Sequence, residues 1–151
     1  MQSDQMDQRL VGAWRLMSLQ IEMHDTGAIS EPWGASPQGY LVITPDGRLI
    51  TVATASERTI PKTADDAADL LRTMVCYSGI TRSDGVGRFV TDVDAAWHPS
   101  WYGTRQARNF SIDGAALAVR TDLLHHPAYP DHLICFILRW EREAAHEGRC
   151  P

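Results

Sequence analysis

Asp92 and Asp94 stand two residues apart in the run Phe89-Val90-Thr91-Asp92-Val93-Asp94. On an extended strand that spacing puts both carboxylates on one face, about 7 Å apart. If the face were a low-dielectric interior, one pKa would rise towards that of a general acid or base. If the face were solvated, Phe89, Thr91, Val93 and Trp97 would turn inward, and the apolar content of that parity favours this arrangement. Further on, Gln106 and Arg108 share parity with Phe110. Inside a cavity Arg108 offers a fixed fork of donors to a carboxylate, phenolate or enolate oxygen, and Gln106 a weaker donor and acceptor. The alternative is a structural ion pair between Arg108 and Asp92 or Asp94 across an adjacent strand.

The segment Trp97-His98-Pro99-Ser100-Trp101-Tyr102-Gly103 groups an imidazole with three aromatic rings in a turn. At a barrel mouth, Trp97, Trp101 and Tyr102 would give a flat apolar wall and His98 a proton carrier near neutral pH. The same loop could equally pack on its own rim. Tyr40 and Tyr77 are further phenol donors, and Trp33 lies in a breaker-rich loop suited to a flap. His125, His126 and His132 lack the HxH or HExxH spacing of metal sites, so a solvated histidine loop and no metal are expected. Phosphate-loop, dinucleotide and hydrolase signatures are absent, and no cofactor is expected.

These residues need a scaffold, and the pattern predicts one. Asp7 to Leu10 suits one helical turn, followed by a long strand from Gly12 to Glu22. In that strand Trp14 and Leu16 occupy one parity and Met17, Leu19 and Ile21 the other, as if both faces were partly covered. Tyr40 to Ile43 and Arg48 to Val52 flank Thr44-Pro45-Asp46-Gly47, a hairpin signature. Residues 63–74 predict a helix: Thr63 caps it, Asp65 and Asp66 suit its first turn, and Ala67, Leu70, Leu71 and Met74 recur at helical spacing. That helix would cover one mouth. Strands follow at Cys76–Arg82, Gly87–Trp97, Thr104–Ile112, Ala115–Leu123 and His132–Glu143, separated by short turns. The expected architecture is all-β, mostly antiparallel: one domain, closed as an eight-stranded up-and-down barrel to remove exposed edges.

With 151 residues, 44% hydrophobic and 22% charged, the chain can bury a core. A net charge of -5 with scattered arginines provides no basic stripe for nucleic acid. Cys76, Cys135 and Cys150 form an odd set without CxxC spacing, and the first residues hold no apolar leader. Reduced thiols in a cytoplasm are expected, with Cys76 and Cys135 as core thiols. The longest apolar stretch, Leu133 to Leu138, is far below the roughly 20 residues of a membrane-spanning helix, so no membrane partner is expected. A homodimer is compatible with the sequence.

From Leu10 to Glu143 the chain resembles the lipocalin-like domain family of bacterial and fungal proteins. The resemblance is carried by Leu10-Val11-Gly12-Ala13-Trp14-Arg15-Leu16, Gly39-Tyr40-Leu41 with Thr44-Pro45-Asp46-Gly47, and Tyr77-Ser78-Gly79. It continues with Pro99 and Trp101, Gly103-Thr104, Gln106 and Arg108, Asp113-Gly114 with Leu117, and Trp140-Glu141-Arg142. One departure stands out: where the family pattern has histidine followed two residues later by an acid, this chain has Asp92-Val93-Asp94. The resemblance implies an interior cavity for one small ligand, and does not imply a reaction. It also implies that the first and last strands meet, where a guanidinium from Arg139 on the Trp14 indole would seal the closed end.

Two functions fit. One is a cofactor-free isomerase, cyclase or lyase acting on a hydrophobic or aromatic metabolite, with Asp92, Arg108, Tyr40 and His98 as catalytic groups. Trp33, Tyr77, Asp94, Trp97, Trp101, Tyr102, Gln106 and Phe110 would then bind the substrate. The other is a non-catalytic carrier or sequestering protein for a hydrophobic ligand. A barrel filled by its own side chains is a blander third reading.

Overall fold

A computed structural model describes residues 5–126 and 129–144; Cys150 and Pro127 lie outside them. The strands are β1 (Gly12–Met23), β2 (Ile29–Ser30), β3 (Gln38–Ile43), β4 (Arg48–Thr54), β5 (Met74–Ser83), β6 (Arg88–Ala96), β7 (Arg105–Asp113), β8 (Ala116–Arg120), β9 (Leu124–His126) and β10 (Tyr129–Arg142). A 3-10 turn, Gln8–Leu10, precedes β1, and one α-helix, α1 (Ala64–Arg72), joins β4 to β5.

Each strand of the series β1, β3, β4, β5, β6, β7, β8, β10 pairs antiparallel with the next, and β10 pairs back onto β1. The result is a closed eight-stranded barrel, with β2 and β9 as short additions beside β1 and β10. The expected hairpin is β3–β4, with Ile43 opposite Leu49 across the Pro-Asp-Gly turn. Inward residues alternate as a strand requires: Leu41 and Ile43, Leu49, Thr51 and Ala53, and Leu117 and Val119 are all buried.

Two bulges decide which side chains face inward. Around Met17 the β1–β10 register shifts, so Trp14 and Leu16 before it and Leu19 and Ile21 after it all point inside, while Met17 is 43% exposed. The apparent two-faced burial of this strand is thus one face read across a bulge. A second shift between Ser78 and Gly79 leaves Asp94 as the extra residue, because Ser78 pairs with Ala95 and Gly79 with Val93. Gly79 is required at this close approach, since a Cβ there would lie 2.3 Å from the Asp92 carbonyl oxygen.

One end of the barrel is sealed. Leu10, Trp14, Ile43, Leu49, Leu117 and Trp140 form its core, and Met6 packs beneath them. Trp14 donates its indole N–H to the Leu10 carbonyl at 3.0 Å. The guanidinium over the Trp14 ring belongs to Arg142, at 4.1 Å, and not to Arg139, whose Nη1 donates to Gln20 instead. The register accounts for the correction: Arg142 is the strand partner of Trp14, while Arg139 lies three residues away on the opposite face. Gly12, with φ +127°, has no Cβ to block this cation, which also donates to the Val11 and Arg9 carbonyls.

At the other end α1 lies across the mouth. Thr63 accepts from the Asp66 N–H and Asp66 from the Lys62 N–H, so the expected cap is formed. The helix ends at Arg72 and Met74 starts β5. Leu123 lies beyond β8, and His125 and His126, expected in a loop, join Leu124 in β9 against β10. No helix among the described residues is long and apolar enough to cross a membrane.

Candidate functional site

Above the sealed floor and beneath α1 the barrel holds an open-mouthed cavity of about 1320 Å³, ample for a small molecule. The barrel is therefore not filled by its own side chains. Leu19, Leu41, Leu49, Val119 and Leu138 line its wall, and Ala68, Leu71 and Arg72 of α1 overhang it.

Aromatic rings form one side. Trp101 is 5.2 Å from Tyr77 and 5.0 Å from Trp97, ring centre to ring centre, and Trp33 lines the cavity from the β2–β3 loop. Trp97 also donates its indole N–H to the Leu71 carbonyl at 3.4 Å, tying the end of α1 to this wall. The loop holding Trp101 is pinned to β6 by hydrogen bonds of Gly103 and Thr104 with Val93.

Two polar groups of the cavity, Gln106 and Arg108, come from β7, and Thr51, Thr121 and Asp122 line it from elsewhere. The Arg108 guanidinium lies over Trp101, 6.0 Å from the ring centre. Its Nη1 donates to the Ala107 carbonyl at 2.8 Å, and Nη1 and Nη2 both reach Gln106 Oε1 at 3.4 Å. Gln106 in turn donates to the Thr104 hydroxyl at 2.9 Å, which donates to the Trp101 carbonyl at 2.6 Å. Strand alternation at 104, 106 and 108 thus links the cation to the aromatic loop in one chain of hydrogen bonds. His98 also lines the cavity, and its Nδ1 accepts the Ser100 N–H at 3.2 Å with the Ser100 hydroxyl 2.7 Å away. That bond leaves the neutral ring's proton on Nε2.

The structure thus brings together Trp33, Tyr77, Trp97, His98, Trp101, Gln106 and Arg108 from the sequence-derived set. It places the others elsewhere. Asp92 is on the outer wall, accepting from Arg105 at 2.8 Å and Arg82 at 2.6 Å, and these two bonds hold its carboxyl below the ordinary range. Asp94 is outside too, bonded to Arg48 and Ser78, with its pKa lowered by the same partners. The inward set is Phe89, Thr91 and Val93, all buried, so neither aspartate is a cavity acid, and neither pairs with Arg108. Tyr40 is 44% exposed on the outer face beside Val52, because Gly39 and Leu41 take the inward parity. Tyr102 is 68% exposed at the loop tip. Phe110 points inward but packs into the floor, 5.8 Å from Phe89.

Sequence reasoning missed several lining groups. Phe136 and Leu138 alternate with Trp140 on β10, a pattern that was available; Asp122 and Tyr129 carried no signal. Asp122 sits at the rim, where hydrogen bonds from Arg88 at 2.7 and 3.0 Å bring its pKa down to about 2. Cys76 and Cys135 are free, with Cys135 buried and its thiol pKa raised by that burial. Among the described residues no group of three or more His, Cys, Asp or Glu side chains stands together to hold a metal ion.

A closed eight-stranded antiparallel barrel with a sealed floor and an apolar interior defines the lipocalin-like class of proteins. The family model for the lipocalin-like domain matches residues 11–143, and the chain belongs to that family. No curated protein matches it.

Proposed function

We propose that the barrel binds one small, flat, hydrophobic molecule and holds it as a carrier or sequestering protein. The observation that carries this reading is the cavity of about 1320 Å³ walled by Trp33, Tyr77, Trp97 and Trp101. Aromatic faces of this kind suit a ring system, and the aliphatic side chains that also line the cavity suit the remainder of such a ligand. The outward placement of Asp92 and Tyr40 argues against acid–base chemistry by those groups. Ion pairs on the outer wall, Arg48–Asp94 and Arg82–Asp92–Arg105 among them, suit a protein surrounded by water. The free thiols support a reducing compartment such as the cytoplasm.

Native mass spectrometry of the purified protein, followed by denaturing extraction, tests this reading. One bound organic molecule per chain is the expected result. Failure to take up any aromatic probe by folded protein would refute it.

A second reading, isomerase, cyclase or lyase, is favoured by one observation: Tyr77, His98 and Arg108 line the same cavity. Turnover of the extracted molecule, abolished in Tyr77→Phe or His98→Ala with binding retained, would establish it over the carrier.

A further inference from the structure

We infer that the ligand is an anion: an aromatic or polycyclic molecule carrying a carboxylate, or an equally acidic oxygen, that docks on the free edge of Arg108 while its ring lies along Trp101. This rests on the small-molecule reading above and narrows its ligand class.

The argument starts from which N–H groups of Arg108 are occupied. Nη1 and Nη2 converge on Gln106 Oε1, and Nη1 also donates to the Ala107 carbonyl. Nε and the Nη2 proton beside it have no partner among the described residues. These are the two parallel donors on the side of a guanidinium that grip a carboxylate with two bonds.

Arg108 differs in this from four arginines of the outer wall. Arg48, Arg82, Arg88 and Arg105 each hold an aspartate, whereas Arg108 makes no ion pair with any described residue. The nearest candidate at the rim, Asp122, is gripped by both Nη atoms of Arg88 and by Asn109. Gln106 is itself held by Thr104, so the cation is fixed in place. Arg108 is partly buried beside apolar walls, and the Asp122 carboxylate, which acts on it through space but is bonded to Arg88, leaves its fork open to an incoming anion. The 6.0 Å approach to Trp101 puts the anion seat and the ring wall within the reach of one small molecule.

Two fluorescent probes of nearly one skeleton test this: anilinonaphthalenesulfonate, whose sulfonate stands in for the carboxylate, and neutral phenylnaphthylamine. The sulfonate should bind wild-type protein at least about 10-fold more tightly than the neutral probe. Arg108→Met should remove that advantage while its far-ultraviolet circular dichroism spectrum matches wild type, which shows that the variant folds; Arg108→Lys should restore part of it, a point charge without the fork. Equal affinity of the two probes for wild-type protein would overturn the anion seat while the cavity reading stands, as would unchanged preference in Arg108→Met. Uptake of neither probe would overturn the small-molecule reading itself.

Discussion

Trp14 and Trp140 are both buried in the barrel floor, yet they are held differently, and replacing each by phenylalanine should separate the two situations. Trp14 donates to the Leu10 carbonyl and lies under the Arg142 guanidinium. Trp140 Nε1 has no partner among the described residues. Both substitutions remove the same volume. Trp14→Phe also strands a carbonyl in a buried turn, at a cost of about 1–3 kcal/mol. It weakens a cation–π contact worth about 0.5–2 kcal/mol. Trp140→Phe loses no such bond and sheds an unmet donor. Trp14→Phe should therefore be the more destabilising by about 2–3 kcal/mol, or about 5–10 °C in Tm for a chain of this size. Urea titration followed by far-ultraviolet circular dichroism measures the difference. Equal losses would refute the assignment of the Leu10 bond and the Arg142 stack as the fastening of the floor.

Other predictions concern the wall and rim. Asp92→Asn should leave phenylnaphthylamine affinity within about twofold, because the carboxylate faces outward; a tenfold loss by fluorescence titration would mean that it reaches the cavity. Asp122 has a folded-state pKa of about 2 against an ordinary 3.8, so its contribution is present above pH 3.8 and lost as pH falls towards 2. Its carboxyl is 57% exposed, which limits that contribution to about 1 kcal/mol. Asp122→Asn should accordingly lower stability at pH 6 and converge with wild type near pH 2, as acid-dependent denaturation would show. Gly12→Ala should destabilise by about 1–3 kcal/mol, since φ of +127° strains any side chain; an unchanged urea midpoint would contradict this.

Much of this architecture was legible because local chemistry and tertiary structure agree. The Thr44-Pro45-Asp46-Gly47 turn between β-branched runs could form little but a hairpin, and Thr63 with Asp66 announced a helix start. The bulges were not legible. An extra residue at Met17 leaves no mark in composition, yet it moves Leu19 and Ile21 to the inner face and brings Arg142 opposite Trp14. The inward placement of Gln106 and Arg108 was readable from alternation alone. Tyr40 was misplaced because a phenol looks the same from sequence on either face, and only the inward demand of Gly39 and Leu41 turns it out. Asp122 was hidden because its importance comes from Arg88, 34 residues away.

The central claim is that ligand enters above the floor and against the aromatic wall, and the five indole N–H signals in a nitrogen–proton correlation spectrum report on this directly. Adding phenylnaphthylamine should shift the signals of Trp33, Trp97 and Trp101, which line the cavity, while the Trp14 signal, locked to Leu10, stays in place. Shifts confined to Trp14, or no shift of the wall tryptophans at saturating probe, would contradict the account.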